Sequence, residues 1–130
     1  MVALPVAVLD SGALLGWLGI GKTLIEGDWE IGAAVISEAA LSEALHFLAV
    51  FRDKDVHRLQ SDLLSIQFAP MLTAEVLPLA AQSASELAVH GEWGLATSVA
   101  VARAQALPLV SFANVEADGV FALRMQRRSA

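Results

Sequence analysis

Two kinds of residue in this chain could do chemistry: a glycine-lysine string that matches a phosphate loop, and carboxylates placed near strand ends. The string is Gly16-Trp17-Leu18-Gly19-Ile20-Gly21-Lys22-Thr23, which fits G-x-x-x-x-G-K-[ST] at every position. A phosphate loop works because N–H groups of a Gly-rich turn, the N-terminus of the next helix and one Lys surround a polyphosphate. The neighbours do not supply that setting. The turn should leave directly from a strand, yet Ser11–Leu15, of helical character, separates Val6–Leu9 and Asp10 from Gly16. Glu26-Gly27-Asp28 is a turn signal where a firm helix is required. A downstream apolar strand ending in Asp should position Mg2+, but the apolar run of that kind, VAVLD, lies upstream. No nucleotide-binding residue is assigned.

With the string set aside, Asp10 and Glu43 carry the chemistry. A carboxylate at the C-terminal end of a parallel strand faces the crevice where open α/β sheets place their ligands. Glu43 falls about two turns into the helix that follows the second strand, where it can point back over the same edge. Mg2+ is bound by carboxylate oxygens and waters, so two acids converging from different elements begin such a site. The bland alternatives are an Asp10 that caps the next helix and a half-buried helical Glu43. Glu43 and His46 also form E-x-x-H, but a di-iron bundle needs a second copy and none is present. His57 and His90 have no partner pattern, and His90 suits a helix C-terminus.

The elements that must position these acids follow from periodicity. Val6-Ala7-Val8-Leu9 reads as a buried strand ending at Asp10, and Leu14, Leu15, Trp17 and Leu18 as a short helix capped by Ser11. Gly19, Gly21, Gly27 and Gly32 mark a loose connection with one helical turn around Lys22–Ile25. Ala33–Ile36 is a second strand. A helix from about Ser37 to Phe51 follows, with Ser37 as N-cap and Leu41, Leu45 and Leu48 on one face. RDKD (Arg52–Asp55) is a turn, and further helices are expected at Val56–Ile66, from Ala74 or Leu77 to Val89, and at Gly94–Ala106. Leu107–Ser111 is a third strand and Val120–Met125 an edge strand. This order predicts one α/β domain over residues 1–130, a sandwich with a mostly parallel sheet.

At 130 residues the chain can bury a real core. It is 56% hydrophobic with a mean hydropathy of +0.61, yet no uncharged run approaches the ~18 residues of a membrane span. The N-terminus lacks the basic region of a signal peptide, so a cytoplasmic protein is expected. With no cysteine, disulfides and thiolate metal sites are excluded. The apolar excess suits a buried sheet plus a subunit or partner interface; Trp17, Trp29 and Trp93 suit a partner-facing surface and core or dimer packing equally well. A net charge of −6 is not the footprint of a broad basic nucleic-acid face. The local cationic cluster, Arg124, Arg127 and Arg128, reads as a solvated tail.

Four segments together resemble the PIN-domain family, and within it the VapC-type toxins of toxin–antitoxin pairs. VAVLDSGALL (Val6–Leu15) is similar to the family's opening strand and first acid. ISEAALSEALHFL (Ile36–Leu48) is similar to its second strand and helix, with an acid six residues after the Ser. Pro70–Gly91 resembles the helix before the third acid, and VARAQALPLVS (Val101–Ser111) the small-residue helix and following strand. The resemblance implies a three-layer α/β/α fold, a homodimer, an antitoxin-like partner, and three or four acids holding Mg2+ or Mn2+ for RNA cleavage. Asp10 and Glu43 carry over as catalytic and metal-binding acids. The third acid's position holds Leu95, with Glu92 one turn earlier. The family's T-x-D appears as Ser111-Phe112-Ala113, with Asn114 the nearest polar substitute. Glu92, Ser111, Asn114 and Glu116 are therefore auxiliary candidates. Because two carboxylates bind Mg2+ weakly, ribonuclease activity is expected to be reduced or absent, and a non-catalytic binding module is the alternative.

Overall fold

A computed structural model describes residues 2–17, 23–27, 29–51, 66–69 and 93–127. Among the described residues nine elements follow in order: β1 (Val2–Leu9), α1 (Ser11–Trp17), β2 (Thr23–Ile25), β3 (Trp29–Ser37), α2 (Glu38–Phe51), β4 (Ile66–Ala69), α3 (Trp93–Gln105), β5 (Leu109–Ser111) and β6 (Ala122–Arg127). They build a six-stranded sheet in the order β2-β6-β5-β1-β3-β4. Every pairing is parallel except β2 with β6, so the mostly parallel sheet is present.

Apolar alternation along the strands divides the core between two faces. Ala7 and Leu9 of β1, Ala34 and Ile36 of β3, Val110 and Met125 pack with α1 and α2 residues Ala13, Leu14, Ala40, Ala44 and Leu48. Val8, Val35 and Leu109 face the other way, onto Val99, Val101 and Ala102 of α3. Helices cover both sides, giving the three-layer α/β/α sandwich. Parallel strands need crossover helices, and strands covered on both faces read as the near-continuous apolar runs seen here. Leu48 is fully buried, with Leu41 and Leu45 packed against the same cluster, so the expected face of α2 is its core face.

The sheet departs from the sequence reading at several points, and β3 begins at Trp29, so Gly32, read as part of a loose connection, lies within a strand. Thr23–Ile25, expected within a helical turn, is β2, and it pairs antiparallel with β6 from Thr23 opposite Arg127 to Ile25 opposite Met125. Consequently β6 is not an edge strand: β5 lies on one side and β2 on the other. Ile66, read as a helix end, opens β4, whose partners run from Ala34 to Ser37. Strands of three or four residues give too little periodicity to register alone, and partner strands supply most of their stability. The turn after β2 requires glycine. Gly27 has φ +86°, and a Cβ there would sit 2.9 Å from the Trp29 indole nitrogen.

The helix expected from Ala74 or Leu77 to Val89, and the one at Val56–Ile66 apart from Ile66, lie outside the described residues. No described helix is long and apolar enough to cross a membrane.

Candidate functional site

The parallel strands end in a row. Leu9 pairs with Ile36 on one side and Val110 on the other, so one step further brings Asp10 between Ser37 and Ser111. Ser111 is opposite Arg124 of β6, and Ser37 opposite Ala69 of β4. Side chains alternate across a strand, and Val8, Val35 and Leu109 face α3, so Asp10, Ser37 and Ser111 two positions on share that side. Polar residues thus replace the apolar run where the strands stop, and Asp10, Ser37 and Ser111 are all buried there.

Asp10 is held at both carboxylate oxygens. Oδ1 accepts the N–H of Ala13 at 3.0 Å, and the Asp10 carbonyl accepts the N–H of Leu14 at 2.9 Å. Asp10 itself, and not Ser11, is therefore the N-cap of α1, as the bland alternative for this acid has it. Oδ2 accepts the Ser111 hydroxyl at 2.5 Å, and Ser111 Oγ in turn accepts the N–H of Ala113 at 3.0 Å. Ser111, an auxiliary candidate, is thus a buried hydroxyl engaged by backbone and by Asp10 together, and it ties the loop after β5 to the acid that ends β1. A buried carboxylate requires such donors, since an unpaired charge there is strongly disfavoured.

The first turn of α3 approaches this row from above. Ser37 Oγ caps α2 by accepting the N–H of Ala40 at 3.1 Å, as its place before the helix predicts, and it also meets Thr97 Oγ1 at 3.0 Å. Thr97 donates back to the Trp93 carbonyl and Ser98 to that of Gly94, 2.6 Å away for Ser98. Glu43, on the exposed side of α2, rests against Gly94: a Cβ built there would lie 1.5 Å from its Oε1. Leu95, where the resemblance expects an acid, packs against the apolar cluster on the α3 side.

The auxiliary candidates separate. Ala113, Asn114 and Glu116 are exposed, while Val115 between them is buried and anchors the loop. Glu92 and Arg128 lie outside the described residues. Arg124 is not part of a tail: it sits in β6, and its Nε donates to the Phe112 carbonyl at 3.4 Å, beside the Asp10 row. The alternation in Ala122–Arg127, with Leu123 and Met125 inward, was the signal for that strand. Among the described residues no group of three His, Cys, Asp or Glu side chains is placed to hold a metal ion. Of the matched phosphate-loop string, residues 18–22 lie outside the described residues, and the three that are described do not take the loop's setting. Gly16 and Trp17 are in α1, and Thr23 begins a strand where that loop requires a helix.

No protein-family model and no curated protein matches the chain. Among solved structures, it is similar to a chain of the crystal structure of VapBC2 from Rickettsia felis bound to a DNA fragment from their promoter. The TM-score is 0.62 at 12% identity, over 90% of this chain and 96% of that one. At that identity the likeness is one of fold, and the fold is PIN-like.

Proposed function

We propose that this chain is a VapC-like member of the PIN group whose metal-dependent ribonuclease activity is weak or lost. The observation that carries the reading is Leu95, a half-buried residue packed against the α3-side core where the resemblance expects a third acid. Ala113 leaves the fourth position without a carboxylate. A divalent cation supplies two things to phosphodiester hydrolysis: it polarises the phosphate and lowers the pKa of an attacking water. Mg2+ or Mn2+ would find Asp10 and Glu43 as its carboxylates. Asp10 is already bonded at both oxygens, and Glu43 is seated on Gly94. These donors fit at most one weakly held ion and not a pair clamping both the attacking and the leaving oxygen. Incubation of the protein with structured RNA and Mn2+, beside an Asp10→Ala control, tests this. Cleavage at or near background is expected; robust cleavage abolished by the substitution would refute the reading.

A binding module is the second reading, acting in the cytoplasm as a homodimer or through an antitoxin-type protein. Its support is an exposed apolar set: Phe47 and Val50 on α2 and Trp93 at the start of α3, from 42 to 57% exposed. The VapBC2 neighbour belongs to an assembly of that kind. Sedimentation of the full chain, alone and after co-expression with neighbouring genes of its host, is expected to give a dimer or a heteromer. A chain that remains monomeric and partnerless would exclude this second reading.

A further inference from the structure

We infer that Glu43 is a positioning residue for α3, with Gly94 making the seat its carboxylate needs. A Cβ added at Gly94 would lie 1.5 Å from Glu43 Oε1, 2.6 Å from Cδ and 3.3 Å from Oε2. Oε1 and Cδ therefore stand in the space that a side chain at 94 would fill, with Oε2 beside it. Gly94 is buried and stands in the first turn of the thirteen-residue α3, where unpaired N–H groups and the helix dipole favour an anion. Directly beneath, the Ser37–Thr97 contact joins the start of α2 to the same turn. Two contacts of different chemistry, one carboxylate and one hydroxyl pair, thus fix α3 against α2 over the Asp10 row.

This role accounts for an acid at 43 without a metal, and it assigns Gly94 a task that helix propensity argues against, since glycine is among the poorest helix formers. It is independent of whether RNA is cut, so the test below can fail while the activity reading holds, and the reverse.

A double-mutant cycle on the full chain in EDTA tests the joint, with the thermal unfolding midpoint as readout. In the native chain Gly94→Ala both improves helix propensity and evicts the carboxylate; in a Glu43→Ala background only the first effect remains. The midpoint change caused by Gly94→Ala is expected to be more favourable in that background by about 5 °C. Equal changes in the two backgrounds would overturn the inference. Glu43→Gln separates charge from packing. The midpoint gap between it and the native chain is expected to shrink between low salt and about 1 M salt, where the screening length falls to ~3 Å. A gap unchanged by salt would overturn the electrostatic role.

Discussion

Replacing Asp10 by alanine is expected to destabilise the folded chain by about 2–4 kcal/mol with no metal present. Two losses combine. The N-cap of α1 disappears, which costs ~1 kcal/mol, and the buried Ser111 hydroxyl loses its acceptor, which costs roughly 1–3 kcal/mol. The loop after β5 is then held to the end of β1 by less, because Ala113 N–H bonds to the same Ser111 oxygen. Asp10→Asn keeps a capping oxygen and is expected to cost less, about 1 kcal/mol, since asparagine caps nearly as well. The sign of these changes is diagnostic. In a cluster of mutually repelling carboxylates, neutralising one relieves strain and stabilises the metal-free protein. Urea unfolding in EDTA distinguishes the cases: a higher midpoint for either variant would mean that Asp10 is chiefly a strained ligand and not a strut.

Much of this architecture is legible in the sequence because the long elements repeat their signals. Leu41, Leu45 and Leu48 state the inner face of α2, Ser37 announces its start, and the VAVL run ending in Asp10 locates the edge where strands stop. The short elements are silent for a physical reason. Thr23–Ile25 and Ile66–Ala69 are strands only because β6 and β3 offer them hydrogen-bonding partners, a property of the fold and not of those few residues. The site divides in the same way. Asp10 can be found from its position at a strand end, whereas its engagement by Ser111 spans most of the chain and depends on β5 lying beside β1. The seat of Glu43 on Gly94 is equally invisible, since a glycine in the first turn of a helix has many ordinary explanations. Arg124 falls within the expected strand Val120–Met125, and the alternation that turns Leu123 and Met125 inward outweighs the run of cations that reads as a tail.

Adding acids is expected to separate a lost site from one that never bound metal. Ala113 is exposed and its N–H already bonds to Ser111 Oγ, so Ala113→Asp adds a carboxylate near Asp10, and the metal-free chain is expected to lose about 1 kcal/mol to their repulsion. Unit charges about 4 Å apart attract by ~4 kcal/mol at an effective dielectric of 20. After desolvation roughly 1–2 kcal/mol of this survives, which is about five- to thirtyfold in Mn2+ affinity. Leu95→Asp is less benign. It removes an apolar side chain from the cluster around Val99 and Leu109 and sets a charge at its margin, a cost of about 1–3 kcal/mol. Its place in the first turn of α3 offsets ~0.3–1 kcal/mol of that. The double variant is therefore expected to be less stable than the native chain, to bind Mn2+ more tightly, and to cleave RNA measurably above it. Calorimetric titration with Mn2+ and a gel assay on the same samples decide the matter. A folded double variant whose Mn2+ affinity matches the native chain would show that missing carboxylates are not what limits the site, and that the engagement of Asp10 and Glu43 by the chain itself is the barrier.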